Sequence, residues 1–461
     1  MNSLSKMKSV ADVVGRRHCL GCGACAWICP NSRVDLVDFL REGIRPVVSE
    51  ESDCSGCSVC LDVCPGISVE FPEVEEIRTF GSSAEREWGP LLEIWEGHAV
   101  DAEIRYQGSS GGALTAIAAY CMEKGGMFGT LHIGQDPDDP IRNRTRLSRT
   151  REHLMAATGS RYSPASVCNG LGLVRDAPKP CVVIGKPTEV AALRKAEGMD
   201  KALGAKVGVA LSFFCAETPS TLGTRDYLET MGVDAKDLSN LCYRGRGWPG
   251  HFAPTKAGED EPVARVTYRE SWASIQAYRP WSVQLWPDGG GELADISCGD
   301  PWYQEPDGKN PGSSLVIVRT ERGREIVRGA MEHGYLELEP AELWKLEKSQ
   351  ENLIKKKGAV WGRLMAMRVT GLATPRFGGG HLFQSWRGLS LSEKLRSTLG
   401  TFRRIFSKGL RHPLQLDRTD AVAVKEPFVA GEAGGLNSEA QGGIMGTKQT
   451  ALEVGPQPQD L

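Results

Sequence analysis

Two copies of one cysteine pattern lie near the start of the chain, and no other feature limits its fold as sharply. The first reads Cys19-x-x-Cys22-x-x-Cys25-x-x-x-Cys29-Pro30 and the second Cys54-x-x-Cys57-x-x-Cys60-x-x-x-Cys64-Pro65, using eight of the fourteen cysteines. In two-cluster ferredoxins the first three thiolates of such a run wrap one 4Fe-4S cube, and the fourth, beyond a turn, ligates the other. On that rule Cys19, Cys22, Cys25 and Cys64 hold one cluster, and Cys54, Cys57, Cys60 and Cys29 hold the second. Zinc competes for paired C-x-x-C motifs but needs only four ligands, and the proline after each fourth cysteine belongs to the cluster pattern. Disulfide frameworks suit short secreted chains, whereas this one has 461 residues and opens with MNSLSKMKSVADVV, which lacks an apolar leader core.

Length predicts two or three domains plus extensions. The chain is 40 % hydrophobic and 25 % charged with a net charge of −3, a globular composition without the basic bias that nucleic-acid binding requires. It holds no run of eighteen apolar residues, so no membrane-spanning helix is expected. Cluster ligands and free thiols persist best in a reducing compartment, which points to the cytoplasm.

Residues 1–72 are expected to form the ferredoxin-like module, with a hairpin-like insert from Val34 to Val48 between the cysteine runs. Pro72 to Pro90, with Glu73, Glu75, Glu76, Glu85 and Glu87, reads as a charged linker or surface helix. From Glu93 strand and helix signals alternate. Glu103–Gln107 is predicted as a short strand, Gly108–Gly112 as a tight loop, Ala113–Lys124 as a helix and Met127–Ile133 as a strand. Strands at Cys181–Ile184 and Val207–Phe214 follow, with helices at Glu189–Ala196 and Thr221–Met231. Such alternation predicts an α/β domain with a mainly parallel sheet over 90–235. A second section, 236–340, contains the turn-rich Tyr243–Gly250, a polar strand at Val263–Tyr268, a strand at Ser314–Arg319 and a helix at Gly323–His333.

Residues 341–420 read as a helical extension, beginning with one long polar helix from Glu342 to Arg368. In Ser390–Leu410, the residues Leu391, Leu395, Leu399, Phe402 and Phe406 form a stripe amid Lys394, Arg396, Arg403, Arg404 and Lys408. The stripe either docks the helix on its own protein or makes a peripheral contact with an anionic membrane through residues 390–410. Residues 421–461, rich in Gly, Glu, Gln, Pro and Ala, are expected to be disordered. The predicted fold class is α+β / α/β multidomain: a small two-cluster ferredoxin-like module, an α/β flavin-binding catalytic region and a helical, partly disordered C-terminal extension.

Electrons from clusters need an acceptor, and a flavin converts single electrons to a hydride. Gly108, Ser109, Ser110, Gly111 and Gly112 stand between strand and helix signals, where backbone N–H groups can face phosphates. A Ser-capped helix after a Gly turn accounts for the same residues without a ligand. Hydride transfer to an organic acceptor also needs a proton donor. Candidates are Lys186, at a strand's C-terminal end, and Asp295 and Asp300; each aspartate also reads as structural, Asp300 because Asp before Pro301 forms turns.

The ferredoxin repeat followed by GSSGGALTAIAAYCMEKG, TGSRYSPAS, VVIGKPTEVAALRKA, FFCAETPS, YRGRGWPG and ELADISCGDPW resembles the coenzyme F420 hydrogenase/dehydrogenase beta-subunit family. The resemblance covers about residues 15 to 335. It implies an FAD-containing iron-sulfur oxidoreductase that exchanges electrons with F420 or another small organic substrate and with a ferredoxin-like partner or partner subunit. It also implies that Gly108–Gly112 and Thr158–Tyr162, with Arg161 and Tyr162, border the FAD. Where many relatives hold a further cluster in the catalytic domain, this chain has Thr188, Cys215, Val283 and Trp286. Val and Trp cannot ligate iron, so no cluster is expected there, and Trp286 is expected to fill the space. Cys215 is then either a buried leftover thiol or a site-lining residue. Cys121, Cys168, Cys181, Cys242 and Cys298 lack metal spacing and read as small core residues.

Overall fold

The structure, a computed structural model, describes residues 7–49, 54, 56–72, 80–306, 308 and 310–432. In the N-terminal module β1 (Val34–Phe39) and β2 (Gly43–Val48) pair antiparallel, from Val34 opposite Val48 to Phe39 opposite Gly43. Gly43 turns the hairpin at φ +74°, a conformation that favours glycine. Short helices Ala24–Ile28 and Val59–Asp62 carry Cys25 and Cys60, and β3 (Ser68–Glu70) leaves the module.

The next five strands are β4 (Glu93–Ala99), β5 (Thr130–Asp136), β6 (Asp139–Ser148), β7 (Cys181–Ile184) and β8 (Val207–Phe213). A small antiparallel sheet follows, made of β9 (Leu238–Cys242), β10 (His251–Lys256) and β11 (Val266–Thr267). The chain then returns to the main sheet with β12 (Ile296–Gly299), β13 (Ser314–Val318) and β14 (Leu336–Pro340). The C-terminal segments β15 (Arg376–Gly378), β16 (Val422–Ala423) and β17 (Phe428–Val429) add short edge pairings. The main sheet has nine strands in the order β14-β4-β13-β12-β8-β7-β5-β6-β17. Strands from both sides of residue 235 therefore share it. β5, β7, β8 and β12 run parallel, and β4, antiparallel to β13, points the same way. The C-terminal ends of β4, β12, β8 and β7 thus open along one edge.

Helices cover both faces, which is why the central strands read as continuous apolar runs. Val183 and Ala210 pack with Leu193 of the helix Pro187–Met199 on one face. Val182, Val209 and Leu211 pack with Ile117 and Val327 on the other.

Several sequence expectations are corrected. Glu103–Gln107 lies in a helix, Ala102–Gln107, because the Asp101 carboxylate accepts the N–H groups of Glu103 (2.9 Å) and Ile104 (3.1 Å) as an N-cap. The polar strand near Val263–Tyr268 shrinks to Val266–Thr267, since Thr267 and Glu270 form a capping box that starts a helix at Tyr268. The long polar helix is two, Leu343–Ser349 and Glu351–Val369, separated at Gln350.

Residues 421–432 are ordered by pairing with edges that local composition does not reveal. β16 adds to β1 and β17 to β6. Residues 73–79 of the acidic stretch and 433–461 of the expected disordered tail lie outside the described residues. The helix Leu391–Ser407 docks on Glu351–Val369 through Ser397, Thr401 and Ile405, leaving Leu391, Leu395, Leu399 and Phe406 exposed. Of the apolar stripe only Phe402 packs inward, beside Ile405; close approach at Gly362, where a Cβ would meet Ser397 Oγ at 2.4 Å, sets the small-residue face against the supporting helix. Among the described residues no helix is long and apolar enough to cross a membrane.

Candidate functional site

Cys19, Cys22 and Cys25 are buried, whereas Cys29, Cys54, Cys57, Cys60 and Cys64 are partly accessible. Burial pushes the Cys25 thiol well above its ordinary pKa, and its charged neighbours Cys22, Cys19 and Cys64 push it further. Burial likewise raises Cys60, and its thiol neighbours are first Cys57, Cys29 and Cys54. Thiols held in this way ionise only with a cation to compensate them, as cluster iron does. Cys29, Cys54, Cys57 and Cys60 also line one shallow recess, beside Arg33 and Val34. Among the described residues no three His, Cys, Asp or Glu side chains converge on a single-ion site. A cube spreads its four thiolates over four irons, so two separated sets of four suit it.

The Cys19, Cys22, Cys25 and Cys64 set sits against the main sheet. The Cys168 N–H donates to Cys22 O at 3.0 Å, and a hydrogen bond from the Cys168 thiol holds Cys22 below its ordinary pKa. Cys168 thus touches a cluster-motif thiol, which its position in the sequence does not disclose. Lys195 Nζ donates to Cys64 O (3.1 Å) and Ser68 O (2.8 Å). Asp38 of β1 accepts from Arg142 Nε (2.9 Å) and Thr221 Oγ1 (2.6 Å). Trp286 closes the same interface, its ring centroid 6.1 Å from Phe71 and 5.7 Å from Phe377.

Along the C-terminal edge, Lys186 follows β7, Cys215 follows β8 and Asp300 follows β12. Lys186 Nζ donates to Glu189 Oε1 (2.7 Å) and Ala165 O (3.2 Å). Burial opposes its charge, yet Glu189 holds its pKa above the ordinary value. Asp300 receives both terminal nitrogens of Arg244 and the Trp248 indole N–H. The Arg244 guanidinium lies 4.5 Å over Tyr268 and 5.0 Å over Trp302, whose rings stack 5.5 Å apart, and Tyr162 continues the wall 5.8 Å from Tyr268.

The Gly108–Gly112 loop abuts this wall. Ser109 Oγ accepts the Ser160 N–H at 2.7 Å, and Ser110 Oγ donates to Ser313 O at 2.7 Å. A Cβ at Gly111 would approach Gly97 O and Ser314 N at 2.7 Å, so glycine is needed for the loop to nest between β4 and β13. Gly112 enters the helix Ala113–Glu123 at φ +74° without a side-chain cap among the described residues. Arg246, in the adjoining turn, is exposed.

Arg161 spends its N–H groups on Asn143, Gln135, Leu241, Pro140 and Arg142, bracing β5, β6 and β9. Asp295 lies just before β12, at the opposite edge, where it accepts from Arg194 Nη2 (3.0 Å), Ala210 N (2.8 Å) and Thr320 Oγ1 (2.8 Å). The edge thus brings Lys186, Asp300, Tyr162 and the glycine loop together and leaves Asp295 outside.

At the middle of the edge stand two residues that sequence reasoning missed. Glu217 and Lys356 are 3.7 Å apart, and among the described residues neither Glu217 Oε1 nor Lys356 Nζ has a hydrogen-bond partner. Glu217 is held at φ +76°, its N–H donating to Cys215 Sγ at 3.3 Å. Burial raises the Glu217 pKa and lowers that of Lys356, each partly offset by the other's charge. The only available signal was a lysine within a helix that reads as polar all round.

Comparison with known proteins gives three matched segments. Residues 12–69 match a model of a 4Fe-4S dicluster domain. Two models of the coenzyme F420 hydrogenase/dehydrogenase beta subunit also match, that of its N-terminal part over residues 94–171 and that of its C-terminal part over residues 179–343. Coenzyme F420 hydrogenase subunit beta of Methanococcus voltae is 25 % identical, over 60 % of this chain and 95 % of its own length. The same subunit of Methanothermobacter thermautotrophicus is 24 % identical, over 62 % and 99 %. A coenzyme F420-dependent sulfite reductase of Methanocaldococcus jannaschii is 22 % identical, over 68 % of this chain and 46 % of that protein. Among solved structures, a chain of the F420-reducing [NiFe] hydrogenase complex from Methanosarcina barkeri aligns at TM-score 0.48 and 24 % identity, covering 60 % of this chain and 94 % of that one.

Proposed function

We propose, on the premise that this chain belongs to the coenzyme F420 hydrogenase/dehydrogenase beta-subunit family and carries a 4Fe-4S dicluster domain, that it is an iron-sulfur flavoprotein oxidoreductase. Its substrate is F420 or another small organic acceptor, and the direction of electron flow is open to either sense. Clusters supply single electrons, and FAD, when bound, exchanges them for a hydride. Cys54, Cys57, Cys60 and Cys29 would hold the outer cluster, which meets a ferredoxin-like donor or a partner protein. Cys19, Cys22, Cys25 and Cys64 would hold the inner one, steadied against the sheet by Lys195 and Cys168. Gly108–Gly112 and Arg246 would receive the FAD phosphates, while Arg244, Asp300 and the Tyr162–Tyr268–Trp302 wall border the ring systems. Lys186 and the Glu217–Lys356 pair place titratable groups between the two ends.

The observation that carries this reading is the order along the sheet edge. The inner thiol set lies near Lys186, which follows β7, and Lys195 of the helix after it, and the glycine loop lies against β13 and β4. At about 4.8 Å per strand spacing, three to four spacings separate the two ends by about 14–19 Å. By the family resemblance Thr188, Cys215, Val283 and Trp286 would take the positions of a further cluster's ligands, and since only Cys215 is a thiol, the flavin would receive electrons from the inner cluster without a third cluster between them.

Iron, sulfide and flavin counts on anaerobically prepared protein test it. About eight irons and one FAD per chain are expected, and about twelve irons would refute the two-cluster scheme. Reduced protein should be reoxidised by F420 or another small acceptor without added protein. A second reading, an electron-delivery subunit with no substrate of its own, is favoured by relatives whose names describe a hydrogenase subunit. It prevails if reoxidation requires a partner protein.

A further inference from the structure

We infer that the helix Leu391–Ser407 docks the protein on an anionic lipid surface. This inference stands apart from the redox reading. A helix of a water-soluble domain normally buries its large apolar side chains and exposes its Ser and Thr residues. Here most of the large apolar side chains face outward: Leu391, Leu395, Leu399 and Phe406 are 73 %, 48 %, 59 % and 62 % exposed, whereas Ser397 and Thr401 are buried beside Ile405 and the partly buried Phe402. This arrangement is built into the packing. Gly362 brings the supporting helix Glu351–Val369 so close that Ser397 and Thr398 face it directly, and the neighbouring Trp386 indole N–H donates to Ser397 Oγ at 3.2 Å. The inward face is therefore specified, and the outward stripe is held in place by it.

The charge beside the stripe fits the surface of an anionic bilayer. Residues 387–411 contain seven Lys or Arg and one acidic residue, within a chain whose net charge is −3. That acidic residue, Glu393, accepts from Ser390 N (2.9 Å) and Ser390 Oγ (2.7 Å) in the helix N-cap. The side chains of Arg396, Arg403 and Lys408 make no hydrogen bond or ion pair among the described residues, so their charge is available. Leu391 to Phe406 covers sixteen residues, about 22 Å of helix. Protein hot spots favour Trp, Tyr and Arg seated in pockets, with Leu under-represented. A Leu/Phe ridge with flexible cationic side chains beside it suits insertion at the headgroup boundary, the cationic heads reaching phosphates while the apolar tips enter the acyl region.

Sedimentation of the full-length holoprotein with vesicles of phosphatidylcholine alone, and of phosphatidylcholine mixed with phosphatidylglycerol, tests this. The wild type should sediment with the anionic vesicles and be released by high salt. Leu395→Glu/Leu399→Glu and Arg396→Glu/Arg403→Glu should each lower partitioning at least about ten-fold. Both pairs are solvent-exposed, and an unchanged thermal melt and iron content verify that the variants are folded. Wild-type protein left in the supernatant with anionic vesicles, or variants that bind as it does, would overturn the inference. It also fails if the wild type ignores vesicles and light scattering shows a dimer that Leu395→Glu/Leu399→Glu dissociates, because the stripe then meets a second copy of the chain.

Discussion

Glu217 and Lys356 bury opposite charges in the middle of the sheet edge without hydrogen-bonding each other, and this makes their titration a sensitive probe of the site. Lys356 has a lowered pKa, so between its folded and unfolded values the folded state binds fewer protons and stability rises with pH. Glu217 has a raised pKa, so the folded state binds more protons there and stability falls as pH rises. In the wild type each charge compensates the other. Removing one partner leaves a buried charge alone, at a cost of about 3–5 kcal/mol, whereas removing both costs far less. Urea unfolding from pH 5 to 9 should show Glu217→Gln gaining stability toward high pH, Lys356→Met gaining it toward low pH, and the double variant nearly flat. Parallel slopes for the two single variants would show that the pair is not coupled; Lys186, which also lowers the Glu217 pKa, bounds how large the second slope can be. Cluster-motif cysteines announce themselves because their spacing is set by the object they wrap. Lys356 does not, because one lysine on a helix carries no sign of the neighbours that tertiary packing brings to it.

At the level of elements, periodic patterns identify a helix more reliably than the face it uses. The Leu/Phe stripe of Leu391–Ser407 is plain in the sequence, but the docking face follows from Gly362 on another helix. A Cβ at Gly362 would come within 2.4 Å of Ser397 Oγ, 2.8 Å of Thr398 Oγ1 and 2.9 Å of the Trp386 indole nitrogen. Gly362→Leu should therefore push the two helices apart. Overpacking at such a contact costs about 1–3 kcal/mol, visible as a lowered melting temperature, with Leu391, Leu395 and Leu399 still exposed. An unchanged melt would mean that the helices are not in close contact at this position. The short elements depart from their sequence reading for a related reason: Asp101 and Thr267 supply caps that override the strand character of the residues after them. A two-residue strand such as Phe428–Val429 exists only because β6 offers it an edge.

For the molecule as a whole, local sequence gives the modules but not the way they are fastened. The iron-sulfur module and the alternating α/β units are legible because each rests on a spacing or a period. The shared nine-stranded sheet and the C-terminal straps depend on pairings between residues hundreds of positions apart. Three of these straps tie the C-terminal extension back: β15 to β3, β16 to β1, and β17 to β6. Lys425 reinforces the last two, donating to Asp136 (2.8 Å) and Asp138 (2.6 Å), and Phe428 lies under Arg144 and Arg146 at 4.6 and 5.3 Å. Ending the chain after Arg418 would remove β16 and β17 while keeping Leu414 and Leu416 against Val13 and Val14. The outer edges of β1 and β6 would then open, and their amides should exchange at least about ten-fold faster, the equivalent of about 1.4 kcal/mol of lost local stability. Amides of β7, β8 and β12 at the sheet centre should be unaffected. The iron content should also hold, because Lys195, Asp38 and Trp286 still join the module to the sheet. If exchange in β1 stays slow, these strands add no restraint, and the alignment of the inner thiol set with the sheet edge rests on the Lys195, Cys168, Arg142–Asp38 and Trp286 contacts.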